Sequence, residues 1–134
     1  MLGLVVVGHG KIAESYIEAA EQMMGTQRQC RAVSFNIGDD LEETREKISS
    51  AVNEVDTQRG VIILTDMFGG APSNLSYSVA ENRMVDVIAG MNLAMLLKII
   101  SLRELLPMNK VSVEAKDAGI QYINTLSELM SETA

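Results

Sequence analysis

The chain has 134 residues, of which 47% are apolar, a net charge of −7 and a single cysteine, Cys30. This length predicts one domain, spanning residues 1–134, and the charge disfavours nucleic acid and anionic membranes as partners. Cys30 has no second cysteine with which to form an internal disulfide, and no uncharged run approaches the roughly 20 residues of a membrane span. These features are typical of a cytoplasmic protein.

Apolar runs rich in β-branched residues alternate with segments of helical period. The first run, Leu4 to Val7, predicts a buried strand. The turn Gly8-His9-Gly10 follows it, and apolar residues at spacings of three and four then predict a helix that ends at Gly25. Met23 and Met24 share the apolar side of this helix, so we expect them to fill the core.

The middle of the chain repeats this pattern of strand and helix. A short strand is predicted at about Arg31 to Phe35, followed by a helix with Asp39 or Asp40 as its N-cap. The run Val61 to Leu64 is continuously apolar, which is typical of a central strand covered on both faces. Pro72 suits the first turn of the helix that follows this strand.

The last third of the chain contains one further clear strand, at about Val85 to Ala89. Helices are predicted from about Leu93 to Ile100 and from Pro107 to about Ala118. The tail has two interpretations. Ile120 to Asn124 has the composition of a short strand, whereas the apolar residues beyond it continue a helical stripe.

Parallel strands joined by helices form an open doubly wound sheet when their crossovers are right-handed. We therefore predict an α/β fold with a mainly parallel sheet of strand order 2-1-3-4 and helices on both faces. Functional groups of such sheets gather at the carboxyl ends of the strands. Two segments lie there, namely Gly8-His9-Gly10 after the first strand and Asp66 to Pro72 after the third.

His9 is the only histidine, and the glycines on either side of it leave room for another molecule. If the first and third strands are neighbours, Asp66 emerges beside His9, within reach of a hydrogen bond. A carboxylate that accepts the Nδ1 proton fixes the imidazole tautomer and directs the Nε2 lone pair outward. This pair predicts a nucleophilic histidine suited to phosphoryl transfer, with backbone amides near Gly69 and Gly70 stabilising the phosphoryl oxygens.

Three segments together resemble the mannose-family EIIA domains of the bacterial phosphotransferase system. They are Gly8-His9-Gly10, the run from Asp66 to Asn74 and the run from Val87 to Leu96. The resemblance implies a phosphocarrier enzyme that needs no cofactor or metal. His9 would accept phosphate through Nε2 from the histidine phosphocarrier HPr and donate it to an EIIB partner, with EIIC and EIID membrane components acting later.

The resemblance also assigns roles around His9. Asp66 would orient the imidazole, and the phosphoryl pocket and partner-facing loop would comprise Gly10, Met67, Phe68, Gly69, Gly70 and Ala71. Family members are homodimers in which a C-terminal strand crosses to the other subunit, and Ile120 to Asn124 is the candidate. Ala71 stands where many relatives have Ser or Thr, so a hydroxyl that could bond the phosphoryl group is absent.

Other functions fit parts of the same pattern. Gly8 to Ala13 matches a loose G-x-G-x-x-A nucleotide fingerprint, but no carboxylate ends the second strand to hold a ribose. A receiver-like domain phosphorylated on Asp66 would need an acidic pair after the first strand. A regulatory phosphoprotein would share the chemistry of His9 and differ only in its partner. Taken singly, His9 in a tight turn and Asp66 as a loop carboxylate also fit plain structural roles.

Overall fold

A four-stranded parallel sheet forms the centre of the computed structural model, which describes residues 1–133. The strands are β1 Gly3–His9, β2 Cys30–Phe35, β3 Val61–Thr65 and β4 Val85–Ala89. The helices are α1 Ile12–Met24, α2 Leu41–Val55, α3 Ala71–Ala80, α4 Leu93–Leu102, α5 Met108–Gln121 and α6 Leu126–Thr133. The strand order is β2-β1-β3-β4, which confirms the predicted topology.

The two faces of the sheet bury separate apolar cores, because successive side chains of a strand point to opposite sides. On one face, Leu4 and Val6 pack with residues of α1, α4 and α5. On the other face, Val5 and Val7 pack with residues of α2 and α3. All four side chains are fully buried. Each stabilises the fold by about 1.5–3 kcal/mol, so β1 is a firm support for the residue that ends it, His9.

Local sequence signals decide where the helices begin. Asp40 is the N-cap of α2, and its Oδ1 atom accepts the N–H groups of Glu42 and Glu43 at 2.9 and 3.3 Å. Asn92 caps α4 in the same manner. Pro72 lies in the first turn of α3, where its missing N–H would have no partner within the helix. The predicted starts of α2 and α3 are therefore confirmed.

One expectation about the end of a helix is wrong. Met23 and Met24 are 61% and 41% exposed, because the buried side of α1 is formed by Ala13 and Ala20 and does not extend to its last turn. Of the two interpretations of the tail, the strand at Ile120 to Asn124 is not formed in the single chain, where α5 continues its own hydrogen bonds through Gln121 and no neighbouring strand pairs with this segment in the described residues. The helical interpretation of the tail is confirmed by α6.

A buried arginine joins the chain segments at the opposite end of the sheet from His9. Arg103 follows α4 and is only 2% exposed. Its guanidinium donates to the carbonyl oxygens of Leu2 and Gln29 at 3.3 and 3.0 Å, to the Arg28 carbonyl and to the Gln27 side chain. Burial lowers the pKa of this guanidinium. The side chain thereby fixes the entrances to β1 and β2.

Cys30 is the first residue of β2 and is buried, as predicted for a small core residue. Burial raises the pKa of its thiol from 9.0 to about 11, although the charge of Arg103 opposes the shift. The thiol therefore stays protonated at neutral pH. None of the helices within residues 1–133 combines the length and the apolar character that crossing a bilayer requires.

Candidate active site

The carboxyl ends of β1 and β3 bring His9 and Asp66 together. The two strands pair in parallel up to Val7 and Thr65, so the next residues of each strand emerge at the same edge of the sheet. The Asp66 Oδ2 atom lies 2.8 Å from His9 Nδ1 and also accepts the backbone N–H of His9 at 2.8 Å. One carboxylate oxygen therefore holds both the ring and the main chain of the histidine.

This hydrogen bond determines which nitrogen of His9 is free. When Nδ1–H donates to the Asp66 carboxylate, Nε2 carries the lone pair on the other side of the ring. The His9 side chain is 36% exposed, whereas that of Asp66 is only 12% exposed. The arrangement protects the orienting carboxylate and leaves the imidazole accessible, as attack by Nε2 on an incoming group requires.

Phe35 supports the imidazole from β2. It is the register partner of His9 and is buried, and the two rings meet edge to face with centroids 5.6 Å apart and planes at 85°. Phe35 was not among the predicted site residues. Its position at the carboxyl end of the strand next to β1 is a signal that could have identified it.

The glycines on either side of His9 have different roles. A Cβ at Gly8 would lie 3.4 Å from Asp66 Oδ2 and from Ile12 Cβ, so a side chain here would crowd the carboxylate. Gly10 has φ +54°, a conformation that side chains rarely adopt, and its N–H donates to the Phe35 carbonyl at 2.8 Å. The Gly10 N–H is thus already used, although the residue lies in the predicted pocket.

The loop after β3 passes close to the His9 ring. A Cβ at Gly70 would lie 3.5 Å from His9 Cε1, which places this residue against the ring. Met67 and Phe68 are exposed, and Ala71 is half-buried at the start of α3. The structure thus brings Gly70 to His9 directly and places Met67 and Phe68 where a partner could contact them.

Ser73, in the first turn of α3, holds this loop in place. Its fully buried hydroxyl accepts the Gly69 N–H at 3.0 Å and donates to the Gly70 carbonyl at 3.1 Å. Within residues 1–133, the N–H groups of Gly70 and Ala71 donate no hydrogen bond. Of the predicted loop amides, that of Gly69 is therefore occupied, and those of Gly70 and Ala71 are open.

Exposed apolar side chains flank the histidine on several segments. They are Ile12 in α1, Ile37 after β2, and Met67 and Phe68 after β3. Apolar side chains around a polar centre are typical of a surface on which another protein docks. The site is thus shaped more for a macromolecular partner than for an enclosed small molecule.

The receiver-like interpretation loses support at the same atoms. Gly8 and His9, rather than an acidic pair, end β1, and the Asp66 carboxylate is hydrogen-bonded to His9, which disfavours a receiver-like site. Within the part of the chain that the structure describes, no three His, Cys, Asp or Glu side chains are grouped to hold a metal ion. The fold and the pair together define a doubly wound α/β protein with an accessible, carboxylate-oriented histidine.

Comparison with known proteins gives the family. The EIIA-man family, described as PTS system fructose IIA component, matches residues 3–116. The chain is 31% identical over 129 residues to the PTS system fructose-specific EIIA component of Bacillus subtilis (strain 168). This alignment covers 96% of this chain and 88% of that protein. It is 33% identical over 104 residues to the PTS system mannose-specific EIIAB component of Escherichia coli (strain K12), spanning 77% of this chain and 32% of that longer protein.

A solved structure of an EIIA component has the same fold as this chain. The phosphotransferase system component EIIA from Streptococcus agalactiae superimposes with a TM-score of 0.86 over 96% of this chain and 99% of that one, at 22% identity, which shows a shared fold. The chain belongs to the mannose-type EIIA family of the bacterial phosphotransferase system. It is an EIIA component, a phosphocarrier of phosphoenolpyruvate-dependent sugar phosphotransfer, which confirms the resemblance drawn from the sequence.

Proposed function

We propose that His9 carries the phosphoryl group, accepting it through Nε2 from HPr and passing it to an EIIB component in the cytoplasm. The observation that supports this role is the 2.8 Å hydrogen bond between His9 Nδ1 and Asp66 Oδ2, which occupies one ring nitrogen and leaves the other free. The sugar-specific names of the relatives favour a role in transport over a purely regulatory one.

The transfer uses the two ring nitrogens differently. Nε2 attacks the phosphorus of the donor phosphohistidine in line, and the donor's P–N bond breaks as the new P–Nε2 bond forms. The proton on Nδ1 remains in the hydrogen bond to Asp66, whose negative charge offsets the positive charge that develops on the imidazole. The reverse sequence, with EIIB as acceptor, returns His9 to its starting state.

The phosphoryl oxygens would be held by backbone amides. The open N–H groups of Gly70 and Ala71 lie at the start of α3, where the helix dipole favours negative charge. Ala71 supplies no hydroxyl, so the main chain provides the donors on this side of the ring. Met67 and Phe68 would contact the partner proteins.

We also propose that the chain works as a homodimer. A groove of about 580 Å³ runs along the open edge of β4, and its lining includes Phe68, Tyr77, Val113 and Ile123. Unpaired strand edges readily bind another segment. Beyond the groove's own lining, the apolar residues Leu126 and Leu129 of the C-terminal tail are exposed in the single chain and suit the groove of a second copy.

Labelled phosphoenolpyruvate with enzyme I and HPr tests the role of His9. The wild type should acquire an acid-labile, base-stable label, and His9→Gln should acquire none while keeping the circular dichroism spectrum of the wild type. Because the chain has one histidine, the comparison identifies the acceptor. An unlabelled wild type, with both donor proteins shown to be active, would refute the proposal.

Light scattering tests the dimer independently of phosphorylation. Val113→Glu should convert a wild-type dimer into a monomer, because a charge in the groove would oppose binding of an apolar tail. Leu105→Glu is the matched control, since Leu105 is also exposed and does not line the groove. A monomeric wild type, or equal behaviour of the two variants, would contradict the proposed dimer.

A further inference from the structure

We infer that Ser73 is a positioning residue for phosphoryl transfer, a role that rests on the proposed function of His9. Ser73 does not touch the imidazole in the structure. It acts on the loop that passes beside the imidazole, through both hydrogen-bonding functions of its hydroxyl. Its effect would be to present the Gly70 and Ala71 amides to the phosphoryl group.

The hydroxyl closes the loop back onto the start of α3. Its oxygen accepts a hydrogen bond from the Gly69 N–H at 3.0 Å, and its O–H donates one to the Gly70 carbonyl at 3.1 Å. Asn74 contributes a further bond, from its backbone N–H to the same Gly70 carbonyl at 3.0 Å. The peptide units before Gly69 and after Gly70 are thus both held by residues of the helix, and the Gly70 N–H between them stays open.

The other residues at this helix start hold the turn less closely. The Asn74 side chain bonds it only at long range, from Nδ2 to the Gly69 carbonyl at 3.5 Å. Gly70 is the N-cap and makes no side-chain capping bond, and Ala71 has no polar group. Pro72 has no N–H to offer. Gly69 has φ +86°, so the turn relies on an unusual backbone conformation that a nearby hydrogen bond can hold. Ser73, buried beneath the loop, is the polar side chain that bonds this turn most closely.

The direction of these bonds determines which amides serve the site. Because the Gly69 N–H is committed to Ser73, the loop cannot use it for the phosphoryl group while the turn is intact. The N–H groups of Gly70 and Ala71 stay open, and Gly70 packs against the imidazole. Ser73 therefore divides the loop amides into one that supports the structure and two that can bind an anion.

Kinetics of transfer from phosphorylated HPr test this role with Ser73→Ala. We expect kcat to fall by about 10-fold, since one loop amide loses its partner and the open amides lose their fixed position. The KM for phosphorylated HPr should stay unchanged, because the buried hydroxyl cannot reach a docked protein. Ser76→Ala is the matched control. Ser76 is equally buried in α3, but its hydroxyl donates back to the Pro72 carbonyl and not to the loop.

A second measurement needs no variant. In amide NMR spectra of the wild type, phosphorylation should shift the Gly70 and Ala71 signals strongly, whereas the Gly69 signal should move little because its N–H stays on Ser73. A Gly69 shift as large as that of Ala71 would overturn the inference. So would a Ser73→Ala variant with the kcat of Ser76→Ala. A wild type that is never phosphorylated would instead refute the proposed function, and this inference with it.

Discussion

Replacing Asp66 with asparagine tests the central interaction of the site. The carboxylate makes two hydrogen bonds through Oδ2, to the His9 ring and to its backbone N–H, each 2.8 Å long. Asparagine keeps an accepting oxygen but loses the charge that offsets the developing imidazolium. Hydrogen bonds to charged groups contribute about 1.5–3 kcal/mol each. We expect Asp66→Asn to raise the barrier by about 3 kcal/mol, which slows transfer roughly 100-fold.

The assay is rapid-quench transfer from labelled phosphorylated HPr, with the nitrogen chemical shifts of His9 measured in parallel. The variant should show a mixture of imidazole tautomers where the wild type shows Nδ1–H. Asp56→Asn is the matched control, because it removes the same charge far from His9. Asp56 ends α2 and precedes β3, so it lies at the amino ends of the strands. Within residues 1–133, its carboxylate bonds only a local amide, that of Gln58.

Two results would refute this reasoning. The first is an Asp66→Asn variant that transfers phosphate as fast as Asp56→Asn. The second is a tautomer ratio that does not change, because the carboxylate would then not select the free nitrogen. Either result would leave the 2.8 Å contact as a structural feature of the turn, without a part in the reaction.

Three further predictions concern stability. Arg103→Met should lower the free energy of unfolding by about 3 kcal/mol in urea titrations, because buried carbonyl oxygens lose their donors; a loss no larger than that of a surface substitution would contradict this. Burial raises the pKa of the Cys30 thiol from 9.0 to about 11, so between these pH values the unfolded state binds fewer protons and stability falls as the pH rises. Comparison with Cys30→Ala at rising pH should isolate a loss of at most about 3 kcal/mol, and an equal decline in both proteins would exclude it. Gly3→Ala should lower the free energy of unfolding by at least about 2 kcal/mol in thermal unfolding, because the added Cβ would lie 2.6 Å from the Val55 carbonyl oxygen. A variant as stable as the wild type would show that β1 can shift.

The sequence carried enough information for the sheet and for the central pair. Continuous apolar runs such as Val61 to Leu64 identify strands covered on both faces, and right-handed crossovers limit their order. Once β1 and β3 are neighbours, the residues that follow them must emerge at one edge. The proximity of His9 and Asp66 is therefore a consequence of topology.

Other features depend on geometry that residue patterns do not encode. The helical period of α1 includes Met23 and Met24, but periodicity does not show how far the surface that a helix covers extends. The contact of Phe35 with the His9 ring follows from strand register. The hydroxyl of Ser73 closes a turn whose shape depends on the positive φ of Gly69, a value that the motif alone does not specify.

The segment from Ile120 to Asn124 shows a different limit of prediction from sequence composition. Its composition suits a strand, but a strand forms only where another backbone can pair with it. In the single chain, α5 takes up the first two of these residues, and the others precede α6. Its conformation in an assembly is therefore a property of the assembly, which the dimer experiment addresses.

One oxygen atom of Asp66 secures both the main chain and the ring of His9. The imidazole cannot swing toward one partner without breaking its hydrogen bond to Asp66. A carrier built in this way presents the same fixed nitrogen to donor and acceptor. The binding surfaces of the two proteins must therefore overlap, and their binding is mutually exclusive. Its throughput then depends on how quickly each complex separates, and tight binding to either partner would be a disadvantage.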